Sequence, residues 1–348
     1  MKAIAFHAPF ELACEACPEP RLEAPTDVLL RVDLAAICGS DLHVYRGVET
    51  GLDRGTRMGH EFLGTVLEAG PEVRRFRPGT RAVCPFSTSC GACFFCQRGL
   101  TSRCVQSQLF GWVQQGLGLH GGQAELVRVP LADATLVALP SGVRDENALL
   151  VGDVLSTGMH AADNGAVARG DLVVVLGCGP VGLCAILGAR QRGARCVLAI
   201  DSVPERLELA ARFGAEPVAL ERDAPQTRVR SASEGRGADV VLEVVGSPAA
   251  GKLAYELVRV GGTISAPGVH NEAHFAFSPG AAYDKNLTYR AGRAPARAYM
   301  ERMLELLRAN TFDLAPLFSH RMPLAEAPRG YEIFDQKRER CTKVLLTP

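Results

Sequence analysis

Asp171-Leu172-Val173-Val174-Val175-Leu176-Gly177-Cys178-Gly179-Pro180-Val181-Gly182 is the stretch that decides the fold. Its first half is an unbroken apolar run, the pattern of a parallel strand buried on both faces. The run enters a GxGxxG turn, and a helical segment, Leu183 to Arg192, follows directly. A second apolar strand, Cys196 to Ile200, then ends at Asp201, roughly 20 residues on. A GxGxxG alone says little. Placed between a strand and a helix, Gly177, Gly179, Pro180, Val181 and Gly182 mark a turn whose backbone can approach a pyrophosphate at a helix N-terminus. Asp201 then accepts hydrogen bonds from the adenosine ribose hydroxyls. Its charge repels a 2′-phosphate, so NAD is expected rather than NADP. Arg206 is expected to start the next helix, because Pro204-Glu205 reads as a first turn, and to lie along the adenine edge.

Further strand and helix units extend this pattern. Ala238 to Gly246 reads as a strand, Ala249 to Val260 as a helix, Gly262 to Ala266 as a strand and Leu287 to Arg290 as the last strand. Residues Ala294 to Arg308 form an amphipathic helix leading away. Before this region the texture differs. Val28 to Leu34, Gly64 to Gly70 and Arg81 to Cys84 are short β-type runs separated by Pro71, Pro78-Gly79 and Pro85. They suggest a small antiparallel barrel over about the first 150 residues. The segment Cys341 to Leu346 reads as a strand returning to that first domain.

Two clusters of metal-ligand residues stand out. Cys90, Cys93 and Cys96 recur at every third position of a glycine-containing loop, and Cys104 follows. Four thiolates fill a tetrahedral ion, so this site is structural; zinc is the better reading, with an iron–sulfur cluster as the alternative. In Met58-Gly59-His60-Glu61-Phe62-Leu63-Gly64 a histidine and a glutamate adjoin between glycines, without the second histidine of an HExxH helix. If His60 binds metal, Cys38 and Asp153 are the candidates to join it. A thiolate, an imidazole and a carboxylate suit zinc and leave a fourth position for water or substrate. Cys14 and Cys17 form a CxxC with no ligand partners nearby.

Composition bounds the rest. The 348 residues are 47% hydrophobic, enough for two cored domains, and 38 basic residues balance 38 acidic ones. That balance argues against a nucleic-acid partner. No apolar run approaches the roughly 18 residues of a membrane span. The first residues, Met1 to His7, read as a strand rather than a signal peptide, and twelve cysteines point to metal or buried thiols. A cytoplasmic location is expected.

These motifs resemble those of the zinc-containing medium-chain alcohol dehydrogenases, and the resemblance runs over nearly the whole chain. It rests on Cys38-Gly39-Ser40-Asp41-Leu42-His43, Gly59-His60-Glu61, the four-cysteine lobe, and Gly177 to Gly182. The resemblance implies an α/β protein: a GroES-like β-barrel catalytic domain plus a Rossmann doubly wound parallel sheet. The catalytic domain with its structural zinc lobe would span 1–152, the NAD-binding domain 153–290, and a return segment 291–348 would complete the first. It further implies that Cys38, His60 and Asp153 bind catalytic zinc, with Glu61 as an alternating ligand. Ser40 and His43 match the family's proton relay, and Asp41 the carboxylate behind the histidine ligand. An aspartate as third ligand, together with a retained four-cysteine lobe, looks most like the branch of bacterial formaldehyde and related alcohol dehydrogenases.

Two departures stand out. Gly39 replaces an arginine that reaches the cofactor phosphates in some relatives, and the short loop Leu109 to Gly122, with Trp112 and His120, matches no substrate pattern. The implied activity is hydride transfer between an alcohol, or its carbonyl product, and NAD, in a homodimer or homotetramer acting on a small molecule. The alternatives are an aldehyde dehydrogenase or dismutase with tightly held NAD, and a non-catalytic zinc- or dinucleotide-binding protein.

Overall fold

A computed structural model describes residues 1–271 and 273–348. The chain divides into two units, Met1–Ser156 with Pro295–Pro348, and Thr157–Ala294.

The first unit begins with a hairpin, β1 (Lys2–Ala8) and β2 (Glu11–Ala16). Its main sheet is built on β3 (Val28–Ile37), whose alternate side chains go inward over its first half. Strand β3 pairs antiparallel with β4 (Glu61–Ala69), which pairs with β5 (Arg81–Cys84). A small hairpin, β6 (Trp112–Gln114) and β7 (Leu117–Leu119), precedes β8 (Leu126–Val129), which also pairs with β3, and β9 (Val137–Ala138), which edges β5.

Among the described residues the second unit holds six strands: β10 (Leu172–Leu176), β11 (Cys196–Asp201), β12 (Glu216–Ala219), β13 (Ala238–Glu243), β14 (Val258–Ala266) and β15 (Thr288–Ala291). All pairings are parallel, in the order β12-β11-β10-β13-β14-β15. All five residues of β10 are buried, each apolar side chain worth about 1.5–3 kcal/mol against exposure. That is why the run carries no polar alternation. The strand order reverses direction of growth between β10 and β13, the switch point at which open α/β sheets bind ligands beyond their strand ends. The final segment returns to the first unit as β16 (His320–Pro323) and β17 (Val344–Thr347).

Several boundaries differ from the sequence reading, each for a local reason. The helix after the glycine turn starts at Pro180, since proline at the first helical position needs no N–H partner. The helix expected over Ala249 to Val260 spans Pro248–Leu257, and the β-branched Val258 and Val260 belong to β14. Strand β4 reaches back to Glu61 rather than Gly64. The return strand begins at Val344, three residues later than Cys341 suggested, and pairs antiparallel with β3 but parallel with β16. The first unit's sheet is therefore antiparallel throughout except at that edge.

The glycine turn is sterically determined. Gly177 has φ +91°, a region L side chains rarely adopt. A Cβ on Gly182 would fall 1.8 Å from the Gly177 carbonyl oxygen, so only glycine lets the helix start close against the turn.

Candidate catalytic metal centre and dinucleotide site

The register of β3 against β4 places Ala36 opposite Glu61. Cys38 and His60 lie just beyond the paired ends of these two strands, so antiparallel pairing brings them together. Asp153 comes from far along the chain, after the short turn Leu150–Gly152. Cys38 Sγ and His60 Nε2 each lie 3.3 Å from Asp153 Oδ2. Donor atoms of Cys38, His60, Glu61 and Asp153 all fall within 4.8 Å of one another. With zinc bond lengths of 2.0–2.3 Å, tetrahedral ligand edges measure about 3.3–3.6 Å. The two 3.3 Å separations to Asp153 match that size.

The chemistry of the donor set fits a cation as well. Burial first, then the charges of Asp153 and Glu61, push the Cys38 thiol up to about 12. Two carboxylates and a thiol buried this closely repel one another once ionised, and a dication removes that penalty. His60 is oriented for the task. Its Nδ1 lies 3.1 Å from Asp41 Oδ1, so Nε2 is left to face the donor cluster.

Asp41 opens the helix Asp41–Tyr45, and its Oδ2 accepts the Cys38 N–H at 2.9 Å. One carboxylate thus holds both a ligand's ring and another ligand's backbone. Ser40 Oγ sits 3.3 Å from Cys38 Sγ and 3.2 Å from His60 Nε2, at the mouth of the cluster. His43 is half-buried on the same short helix, three residues from Ser40, a spacing that puts the two on one side of the turn.

Sequence reasoning missed Lys343. This fully buried lysine places Nζ 2.9 and 2.7 Å from the two Glu61 carboxylate oxygens and 3.2 Å from the Ile37 carbonyl. Burial opposes its charge, but Glu61 first and Cys38 next hold its pKa above the ordinary lysine value. The signal was present: a lone lysine beside the apolar Val344-Leu345-Leu346 run demands a buried carboxylate. What the sequence does not carry is which one.

The second cluster lies between β5 and β6. The sulfurs of Cys90, Cys93, Cys96 and Cys104 are mutually within 4.8 Å. Backbone N–H groups of Cys90 and Gln106 donate to Cys104 Sγ at 3.2 and 3.3 Å, and that of Cys93 to Cys90 Sγ at 3.4 Å. N–H groups aimed at sulfur favour thiolates, and hydrogen bonds from Cys96 and Val105 bring the Cys93 thiol down to about 6. Cys14 and Cys17 lie on and just beyond β2, outside both clusters. Trp112 packs against the first unit's core, and His120 Nδ1 accepts the Arg57 N–H at 3.1 Å, which ties its loop to the segment leading into Gly59-His60.

In the second unit, Asp201 ends β11 and is buried. Its Oδ2 accepts the Cys178 N–H of the glycine turn at 2.7 Å, and its Oδ1 accepts that of Val203 at 2.8 Å. The carboxylate thereby ties the turn to the start of the next helix. Arg206 lies in the first turn of that helix, Pro204–Arg212, with Nη1 3.9 Å from Asp201 Oδ2 and Nε buried without a hydrogen-bond partner. The same Nη1 is 4.0 Å from where a Gly179 Cβ would stand, so the guanidinium borders the glycine turn. Glycine backbone, a positive side chain and a ribose-sized carboxylate together suit a dinucleotide.

Comparison with known proteins identifies the family. The alcohol dehydrogenase GroES-like domain matches residues 24–141, and the zinc-binding dehydrogenase domain matches residues 180–309. Zinc-type alcohol dehydrogenase B of Aspergillus flavus is 41% identical over 343 residues, covering 96% of this chain and 79% of that protein. Medium chain reductase/dehydrogenase ucsI of Acremonium sp is 46% identical over 281 residues, covering 78% and 95%. The solved structure of alcohol dehydrogenase TADH from Thermus sp. ATN1 superposes with a TM-score of 0.94 at 42% identity, covering 100% of this chain and 99% of that one. A zinc-binding dehydrogenase with a GroES-like unit and a Rossmann-type parallel sheet is the class these findings define. Within it, the chain belongs to the zinc-containing medium-chain alcohol dehydrogenase family.

The Lys343–Glu61 pair yields a test. In Lys343→Met the Glu61 carboxylate loses its buried counter-charge, and stability should fall by about 3–5 kcal/mol. Glu61→Leu combined with Lys343→Met should recover most of that loss, since an apolar pair needs no compensation. Urea midpoints of the three proteins measure it. A single variant as stable as the parent would show that the pair carries no such burden.

Proposed function

We propose that Cys38, His60 and Asp153 hold a catalytic zinc, that Glu61 exchanges onto it, and that Cys90, Cys93, Cys96 and Cys104 hold a structural one. The observation that carries this reading is the convergence of three ligand types, with Cys38 Sγ and His60 Nε2 each 3.3 Å from Asp153 Oδ2 and Ser40 Oγ beside the first two. The chain is a zinc-dependent oxidoreductase that transfers a hydride between an alcohol, or its carbonyl product, and NAD.

Zinc at the first site supplies a Lewis acid that eases removal of the alcohol proton near neutral pH. Ser40 Oγ is placed to take that proton, and His43, one turn along the same helix, to pass it towards solvent. Asp41 holds the His60 ring in the tautomer that presents Nε2. Lys343 gives the Glu61 carboxylate a buried counter-charge, from which it would exchange onto the metal. NAD supplies the hydride acceptor. Gly177 to Gly182 would receive its pyrophosphate and Asp201 its adenosine ribose, with Arg206 beside the adenosine end.

Among the described residues no helix is long and apolar enough to cross a membrane. A cytoplasmic location is the reading that twelve free cysteines support. The chain is proposed to assemble as a homodimer or homotetramer. Strand β15 is an open edge of the parallel sheet, and Val260, Phe275 and Tyr283 of the same unit are 63%, 70% and 82% exposed. Light scattering should give a dimer or tetramer mass; a monomer at working concentration overturns this.

Two measurements test the chemistry. Cys38→Ser should abolish NAD reduction across a panel of alcohols while zinc falls from two ions per chain to one. One zinc in the parent and none in the variant would sink the two-site assignment. For cofactor choice, Asp201→Gly should lower the NAD-to-NADP ratio of kcat/KM by about tenfold or more, equivalent to about 1.4 kcal/mol. Because Asp201 also braces the glycine turn, both cofactors should bind less well, so the ratio is the readout. Equal efficiency with the two cofactors in the parent would show that Arg206 outweighs Asp201.

A further inference from the structure

Behind the Asp41–His60 contact lies a buried polar chain that the proposed reaction leaves unexplained. Gln123, just ahead of β8, is fully buried and donates from Nε2 to Asp41 Oδ2 at 3.3 Å and to the Ala36 carbonyl at 3.1 Å. Its Oε1 accepts the Tyr331 hydroxyl at 2.8 Å. Tyr331, on the helix Ala327–Asp335 of the return segment, is also fully buried, and its ring lies 5.5 Å from that of Tyr45. Burying an amide and a phenol in a core costs free energy unless every polar atom is paired. Here each group is satisfied by the next, and the chain ends on the carboxylate that holds His60.

The arrangement has a fixed sense. Nε2 faces two acceptors and Oε1 faces a hydroxyl, so the reversed amide would set its oxygen against Asp41 Oδ2 and the Ala36 carbonyl. Burial pushes the Tyr331 phenol well above its ordinary value, with Asp41 adding to the shift, so it stays a donor. The backbone beside His60 is shaped for this side chain. Gly59 has φ +93°, and a Cβ there would fall 2.3 Å from Gln123 Cγ. The Gln123 N–H donates to the Met58 carbonyl at 2.9 Å, which fixes the side chain's starting point two residues from the ligand.

We infer that Gln123 and Tyr331 are positioning residues: they fix the rotation of the Asp41 carboxylate and so aim His60 Nε2 at the catalytic zinc. The inference rests on the reading that His60 is a zinc ligand. With the Cys38 N–H alone on Oδ2, the carboxylate can pivot about that single bond, and the His60 ring pivots with it. The amide supplies a second point from the opposite side, and the phenol holds the amide. Neither residue touches substrate or metal.

The test uses the zinc-loaded protein and four variants, Gln123→Met, Tyr331→Phe, the two combined, and His60→Ala, reading zinc release to a colorimetric chelator, kcat, KM for NAD and the urea midpoint. Gln123→Met should speed release of one zinc by about 10–100-fold and lower kcat, with KM for NAD unchanged. Tyr331→Phe removes only a hydroxyl and should shift the same two quantities by less. The double variant should release zinc no faster than Gln123→Met, because both residues act through one carboxylate. Unchanged release and kcat in both single variants, with only the urea midpoint lowered, would reduce the pair to core structure and overturn the inference. His60→Ala should retain a single zinc per chain; if it retains two, the ligand reading itself fails and takes the inference with it. These two failures appear in different variants and so are distinguishable.

Discussion

The register between β3 and β4 is the constraint on which the candidate metal centre depends. Side chains alternate along a strand with period two, so a slip of one residue would turn Glu61 from the core to the opposite face. The observed pairing of Ala36 with Glu61 sets Cys38 and His60 together beyond the strand ends. It also turns Glu61 towards Lys343, because β17 enters on the other side of β3 with Val344 opposite Ile37. Three segments distant in sequence are thus indexed to one strand. The donor geometry follows from hydrogen-bond ladders formed elsewhere in the sheet.

A cluster this rich in buried charge sets electrostatics against packing. Glu61, Asp153 and Cys38 are all withdrawn from water, as is Asp41 immediately behind them. Lys343 offsets one negative charge and a divalent ion would offset two more, while Asp41 is met by the His60 ring and the Cys38 N–H. The second unit meets the same difficulty differently. Asp201 is buried too, but two backbone N–H groups satisfy its oxygens, with Arg206 at longer range. The first arrangement leaves negative charge for a bound cation to offset, whereas in the second the backbone already satisfies the carboxylate.

Much of this was legible in the chain because its signals are local. The run from Asp171 to Gly182 carries strand, turn and helix start within twelve consecutive residues, and the four cysteines carry their own spacing. The Cys38–His60–Asp153 group was legible as a set of ligand types, although nothing in the sequence shows that they meet. Lys343, Gln123 and Tyr331 were not legible as site residues. Lys343 and Glu61 are separated by 282 positions, and Tyr331 and Gln123 by 208, so each partner is chosen by tertiary packing. The boundary at Leu257 escaped for another reason. The Ala249 to Val260 pattern suits a helix, and the sheet's claim on Val258 prevails only once β13 is present to pair with it.

The split first unit has a consequence for how such a chain is made. Translation delivers β3, β4 and the ligand-bearing turn early, then the whole parallel-sheet unit, and only at the end the segment holding β17. Until that segment leaves the ribosome, the Ala35–Ile37 end of β3 lacks its second neighbour, β8 reaching only Val28–Arg31, and Glu61 lacks the Lys343 counter-charge. The inserted unit, contiguous in sequence, has no such wait. A product cut short after the inserted unit would carry the candidate ligands without the lysine that pairs with Glu61.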